Sequence, residues 1–311
     1  MTGGIEQHRA RLNVELAALG HFVEYAEQLF TDADLYFGHG SFEAFDEAVY
    51  LVLSALKLPL DELGGVWNRR VSATERAAVL QLIHRRVDER IPAAYLTNEA
   101  FLGPYRFYVD ERVIVPRSFI AELLRDQLSP WVDDPDSVSS VLDLCTGSGC
   151  LAILAALTFP NARVDATDLS SDALDVAKRN VAEYALADRV TVMQSDLFAG
   201  LKRQQYDIII TNPPYVTAAS MNALPDEYHR EPEMALASGV DGLDHVRVIL
   251  RDAPQHLTPG GLLLVEVGFN REGMEAAFPH LPLTWLETSA GDGVVFLVTG
   301  EELLSARPRA E

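Results

Sequence analysis

The sequence predicts an α/β protein. A mostly parallel sheet, with helices on both faces, follows a small helical N-terminal domain and a β-hairpin. Three observations carry that reading. After residue 140, short apolar runs alternate with stretches of helical periodicity, the order that builds a parallel sheet. Before residue 99, apolar residues recur at three- and four-residue spacing, as on one face of a helix. Between Val141 and Ala152, a glycine-rich turn joins an apolar run to a helical one.

From about Ile5 to Phe30, Leu12, Val14, Leu16, Leu19, Phe22, Val23, Tyr25 and Leu29 supply a helical face. A second helix is expected over about Ser41 to Leu56, where Phe42, Phe45, Ala48, Val49 and Val52 keep the 3.6-residue beat. A third starts after Ser72, a plausible N-cap, and runs to Arg90, with Pro92 ending it. In Ala100–Val115, Phe101, Tyr105, Phe107, Val109 and Val113 surround a Gly103-Pro104 turn signal, which suits a hairpin. A linking helix begins at Ser118, and the acidic, proline-bearing segment Trp131–Ser140 marks a boundary. The domains expected are therefore 1–98 (helical), 99–130 (hairpin and linking helix) and 131–311 (sheet). Strands are expected at Val141–Leu144, Arg163–Thr167, Val190–Gln194, Tyr206–Thr211, Gly261–Val267 and Val294–Val298. Helices are expected at Gly149–Thr158, Ser171–Ala185, Gly242–Ala253 and Arg271–Phe278.

At 311 residues and 48% apolar composition, the chain is long enough for two globular domains. Its 25 basic and 46 acidic side chains give a formal charge of −21. Such a surface repels phosphate backbones and argues against stable nucleic-acid binding, while it suits a basic protein partner. The imbalance is greater after residue 130, where 12 basic residues face 27 acidic ones. Arg69, Arg70, Arg76, Arg85, Arg86 and Arg90 form a local basic exception. They read as the solvated face of a helix, with contact to ribosomal RNA or an acidic partner as the other option.

Two cysteines, Cys145 and Cys150, allow no disulfide framework and no zinc pattern, and they read as packing residues. The eight histidines form no close ligand pair, so no metal is expected. The N-terminus lacks a signal-peptide core, and the longest apolar stretch, Cys150 to Phe159, is too short to span a bilayer. A cytoplasmic, membrane-free and monomeric protein is expected.

Function is concentrated at the predicted strand ends. In VLDLCTGSGCLA, Gly147 and Gly149 let the backbone approach a ligand closely. That pattern also fits a dinucleotide fingerprint. Asp168 closes the next strand, where a carboxylate can accept hydrogen bonds from ribose hydroxyls of a nicotinamide or an adenosyl cofactor alike. Asp143 lies before the glycines, where an acid suits an ammonium group and is a poor neighbour for a pyrophosphate. Asp196 ends a third strand and is placed to receive an adenine amino group. Three acids at consecutive strand ends favour S-adenosylmethionine over NAD.

YDIIITNPPY (Tyr206–Tyr215) is the most informative stretch. Two prolines cannot continue a sheet ladder, so the chain leaves the sheet at Asn212, at the same edge as the glycine loop. The Asn212 side-chain oxygen and the Pro213 carbonyl can accept the two N–H bonds of a planar amino group. Pro213 and Pro214 stiffen the turn, and Tyr215 supplies a flat wall.

With these motifs the sequence resembles the class I S-adenosylmethionine-dependent methyltransferases, which have a Rossmann-like sheet. More narrowly, it resembles the protein-glutamine N-methyltransferases. The likeness spans the helical N-terminal part, the hairpin, the glycine loop, NPPY and EPEMALASGVDGLD (Glu231–Asp244). It implies that Asn212, Pro213 and Tyr215 carry catalysis. Asp143, Thr146, Gly147, Gly149, Asp168, Leu169, Asp196, Leu197 and Asn212 would bind S-adenosylmethionine. Asn212, Pro213, Pro214, Tyr215 and Arg117 would hold the target glutamine.

The release-factor branch carries Pro-Glu-Thr-Glu after its VPR, whereas this chain reads VPRSFIAELL (Val115–Leu124). That departure, with RIPAAYLTNEAFLG (Arg90–Gly103), resembles the branch acting on a large-subunit ribosomal protein, a basic substrate. The release-factor activity, a nucleic-acid adenine methyltransferase and a non-catalytic ribosome-assembly factor are the other readings. Methyl transfer from labelled cofactor separates the last of these.

Overall fold

The computed structural model describes residues 16–41, 43–201 and 204–306. They form two compact units, Met1–Glu99 with Pro225–Arg230, and Ala100–Leu224 with Glu231–Glu311.

The first unit contains α1 (Leu19–Asp32), α2 (Ala44–Ala55), α3 (Leu63–Val66), α4 (Ala73–Asp88) and α5 (Ala93–Thr97). Phe22, Val23, Phe30, Leu51, Val52, Val79 and Ile83 interlock in its core, each from the apolar stripe of its helix. Helix α4 starts as Ser72 suggested. The Ser72 hydroxyl accepts from the Glu75 amide while the Glu75 carboxylate accepts from the Ser72 amide, so two amides at the helix start are satisfied together. The expected helical residues 5–15, with Leu12 and Val14, lie outside the described residues, as does Phe42.

The arginine cluster differs from its reading as a solvated helix face. Arg86 is 1% exposed. Its Nε donates to Glu47 Oε1 at 2.6 Å, its Nη1 to Glu227 Oε1 at 3.1 Å and its Nη2 to the Tyr36 carbonyl at 2.9 Å. Arg90 caps the carbonyls of Ala33 and Asp34. A buried guanidinium with charged partners is a structural cluster, and these two side chains are not presented to an RNA.

The second unit opens with an antiparallel hairpin, β1 (Ala100–Leu102) and β2 (Tyr105–Phe107), turned by Gly103 at φ 60°. After α6 (Ile120–Arg125) come β3 (Ser140–Leu144), α7 (Cys150–Thr158), β4 (Arg163–Asp168), α8 (Ser171–Glu183), β5 (Val190–Gln194) and β6 (Tyr206–Thr211). The chain continues through α9 (Ala218–Met221), α10 (Asp244–Asp252), β7 (Leu257–Glu266), α11 (Arg271–Ala277), β8 (Thr284–Thr288), β9 (Gly291–Thr299) and α12 (Gly300–Ser305).

Among the described residues the strands form one seven-stranded sheet in the order β5-β4-β3-β6-β7-β9-β8. It is parallel from β5 to β7, and β9 runs antiparallel to both its neighbours. This is the Rossmann-like, mostly parallel sheet expected. β6 shows why its sequence is an unbroken apolar run. Ile208 and Ile210 pack on one face with Leu151, Leu154 and Ile120, and Ile209 on the other with Leu144, Val246 and Met274. A strand covered on both sides has no wet face to mark with polar residues. No helix among the described residues is long and apolar enough to cross a membrane.

Candidate active site

The carboxyl ends of β3, β4, β5 and β6 surround a cleft. The strand order reverses between β4-β3 and β3-β6, and in open α/β sheets ligands bind at such a switch point. Gly147, Asp168, Leu169, Asp196, Leu197, Asn212 and Pro214 line the cleft. The glycine loop, two of the three strand-end acids and the residue at the sheet exit are thereby brought together.

Each is held by its own element. Asp168 ends β4; one carboxylate oxygen accepts from the Gly147 amide and the other from the Ser170 amide, both at 2.9 Å. A carboxylate has about four lone-pair sites, so acceptor capacity remains for a ligand. Burial pushes its pKa up, against the pull of those backbone amides. The loop is tied back by the Thr146 amide to the Thr167 carbonyl at 2.9 Å, and by Asn180 of α8, whose Nδ2 donates to the Ser148 carbonyl at 2.8 Å.

The two glycines do different work. A Cβ on Gly147, at φ 54°, would point into open space, so its backbone borders the cleft. A Cβ on Gly149 would sit 3.1 Å from the Ala177 Cβ, so this glycine lets the start of α7 pack against α8. Cys145 lines the cleft, while Cys150 is buried. Burial pushes both thiols up, that of Cys150 to about 12, which fits packing rather than nucleophilic roles.

Asp143 lies behind the cleft wall, 1% exposed. Its Oδ2 accepts from the Thr146 hydroxyl at 2.5 Å and the Ala152 amide at 3.0 Å, while its buried Oδ1 has no hydrogen-bond partner. Burial, with a smaller contribution from the Asp168 charge, raises its pKa to about 7. Glu266, at the end of β7, is likewise raised to about 7 by burial, although Ser118 Oγ and the Phe119 amide donate to it.

In an unfolded chain these carboxyls lose their protons near pH 4, whereas the folded protein keeps them to about pH 7. Their contribution to stability is complete below about pH 4 and is lost as pH rises to about 7. Asp143→Asn, which can still accept from Thr146 and Ala152, is expected to flatten that slope. Its melting temperature should fall less between pH 5 and 7.5 than that of the parent, and equal slopes would remove Asp143 as a source.

Asn212 follows β6 directly and is half-buried, and Pro213 and Pro214 are buried. Beyond them the Val216 amide donates to the Leu236 carbonyl at 2.8 Å, so the turn is closed by backbone pairing. The Tyr215 ring lies against Gly268, where a Cβ would come within 2.6 Å of Cε2. Pro213 and Tyr215 are not among the residues of the cleft wall. Nor is Arg117, whose guanidinium forms a bidentate pair with the buried Glu231 carboxylate at 2.6 and 2.7 Å. Fork-to-fork pairing of that kind fixes a loop.

The wall also contains Arg112, Ser195, Pro232, Met234, Ala235 and His245, which sequence reasoning had not singled out. Pro232, Met234, Ala235 and flanking His245 come from or adjoin the stretch Glu231–Asp244, so that stretch was the available signal. His245 Nδ1 lies 2.8 Å from Ser238 Oγ, and burial lowers its pKa.

The methyltransferase small domain family matches residues 122–241. A ribosomal protein uL3 glutamine methyltransferase from Burkholderia pseudomallei is 58% identical over 288 residues, covering 90% of this chain and 94% of the relative. A protein of the same name from Neisseria gonorrhoeae is 54% identical over 290 residues, covering 93% and 97%. Another from Bordetella pertussis is 56% identical over 289 residues, again covering 93% and 97%. Identity above half, sustained from the helical unit through the sheet, places the chain in the family of ribosomal protein uL3 glutamine methyltransferases.

Proposed function

We propose that this protein transfers a methyl group from S-adenosylmethionine to the side-chain amide nitrogen of a glutamine in ribosomal protein uL3. The observation that carries the reading is the Asn-Pro-Pro-Tyr exit from β6, which puts Asn212 in the same cleft wall as Gly147 and Asp168. The names of the relatives support the substrate.

The residues present fit the cofactor. The partnerless buried Oδ1 of Asp143 suits a cationic ligand, Gly147 leaves room beside the loop, and Asp168 keeps lone pairs for ribose hydroxyls. Leu169 and Leu197 would flank the adenosine, Asp196 would accept from the adenine amino group, and Thr146 and Gly149 would shape the loop. S-adenosylmethionine, when bound, supplies an electrophilic methyl group.

The rest is positioning by the chain itself. An amide nitrogen is a weak nucleophile, because its lone pair is delocalised into the carbonyl. The Asn212 side-chain oxygen and the Pro213 carbonyl accept its two N–H bonds and leave the nitrogen lobe facing the methyl donor. Pro214 stiffens the turn and Tyr215 walls it, so little entropy is lost on ordering the target. As charge develops on nitrogen, the same two oxygens stabilise the polarised N–H bonds, and the methylated nitrogen then releases one of its two protons to solvent. Arg117 contributes by holding Glu231 and hence the loop beyond the turn. The acidic surface of the chain favours encounter with a basic ribosomal protein.

Asp168→Ala is expected to weaken cofactor binding by ~1.5–3 kcal/mol, the worth of a hydrogen bond to a charged group. Titration calorimetry with the cofactor checks this, and an unchanged dissociation constant would remove Asp168 from the site. The proposal as a whole is tested with labelled cofactor, separated ribosomal proteins and release factors, followed by mass spectrometry. One added methyl on a uL3 glutamine is expected. Label on a release factor or on nucleic acid alone would overturn it.

A further inference from the structure

Among the described large apolar side chains, Phe269 and Val240 are 88% and 87% exposed, and Met234, in the cleft wall, is 50% exposed. Isolated exposed apolar residues are ordinary. Phe269 and Val240 differ in sharing one neighbour, the Tyr215 turn. Phe269 follows Gly268, whose backbone lies against the Tyr215 ring, and Val240 is two residues before Gly242, where a Cβ would strike the Tyr215 carbonyl oxygen. The two turns are fastened to each other by Asn270, whose Nδ2 donates to the Asp241 carbonyl at 2.9 Å. The Gly239 carbonyl accepts from the Ala218 amide at 2.8 Å, which ties the same turn to the chain leaving NPPY. Both side chains are therefore displayed to water from turns that are pinned, on the rim of the site that would hold the target amide.

We propose that Phe269, Val240 and Met234 form an apolar lip that takes the polypeptide flanking the target glutamine, an inference that rests on the function proposed above. A turn that only connected two elements would have no need of a phenylalanine in water. A methylated side chain, in contrast, must arrive on a backbone that something at the mouth holds. The occupant is a segment of a basic protein rather than a nucleic acid. From 231 to 245 the loop bearing Val240 and Met234 carries Glu231, Glu233, Asp241 and Asp244 and no lysine or arginine; Arg117 pairs with Glu231 and Arg247 with both Asp241 and Asp244, which leaves two negative charges in excess to repel phosphates and attract cationic chains. Burying two exposed anchors beside the reacting group adds affinity for the protein substrate without touching the chemistry.

The double variant Phe269→Ser, Val240→Ser leaves Met234 and the cleft intact and, at such exposure, is expected to melt with the parent. Initial rates on purified uL3 should show KM raised about tenfold or more, kcat within twofold of the parent, and an unchanged cofactor dissociation constant. Phe269→Leu in the same assay should keep KM close to the parental value. If the parent methylates uL3 and the double variant matches its KM, the lip is overturned and the proposed function stands. If the parent does not methylate uL3, the proposed function falls and the lip with it. If the parent sediments as a dimer that the double variant dissolves with KM unchanged, the patch joins two copies of the chain, and the proposal is likewise overturned.

Discussion

Asn212→Ala is expected to slow methyl transfer by about 100-fold or more while the cofactor still binds, because one of the two oxygens that the proposed function assigns to the amide N–H bonds is lost. Removing a single preorganised hydrogen-bond partner from a reacting centre costs about 10²–10³ in rate, and a misplacement of about an ångström costs a similar factor. Backbone rigidity would survive the substitution, since Pro213 and Pro214 remain and the Val216–Leu236 hydrogen bond still closes the loop. A single-turnover assay with bound labelled cofactor separates the chemical step from binding. Asn212→Asp, which keeps an oxygen at the same reach, is expected to fall between Ala and the parent. Parental turnover in Asn212→Ala would take the residue out of the mechanism.

The candidate site was legible because its signals are local and chemically exclusive. Two consecutive prolines cannot sit in a central strand, so Tyr206–Thr211 had to end at Asn212, and a carboxylate at the end of Arg163–Asp168 had to face the same edge as the glycine turn. Where the deciding partner is distant, the letters alone were ambiguous. Gly147 and Gly149 look alike in sequence, yet one borders the cleft and the other makes room for Ala177, 28 positions on. Thr284–Thr288 was not anticipated as a strand, since an edge strand reading Thr-Trp-Leu-Glu-Thr, with one buried residue, has no apolar run to announce it. Arg117 carries a charge that suits substrate binding, and only the folded chain reveals that Glu231 occupies it. Arg86 is the sharpest case. It sits beside the half-buried Arg76 and Arg85 on α4, and its partner Glu227 lies 141 positions away, in a short segment that returns to the helical unit.

Arg86→Met is accordingly expected to destabilise the helical unit by about 3–5 kcal/mol, the usual cost of removing one member of a buried ionic cluster. The guanidinium satisfies Glu47, Glu227 and the Tyr36 carbonyl at once. Methionine fills the space and leaves two carboxylates, each 2% exposed or less, without that counter-charge. The deficit should depend on pH in a stated direction. Without Arg86, burial pushes the Glu47 carboxyl further above its ordinary value in the folded variant, while Glu227 keeps Arg90 at 3.4 Å, so the variant's stability is retained below about pH 4 and lost as pH rises. The gap between variant and parent should therefore be wider at pH 7.5 than at pH 5. Urea unfolding at the two values tests this, and an equal gap at both would assign the loss to packing alone. Arg86→Lys is expected to be intermediate, because one ammonium at the end of a flexible stem cannot reach three acceptors spread around a planar fork. Adding Glu47→Gln to Arg86→Met should recover part of the loss at pH 7.5, since the stranded Glu47 charge is then gone. No recovery would mean that Glu47 was never the group in distress.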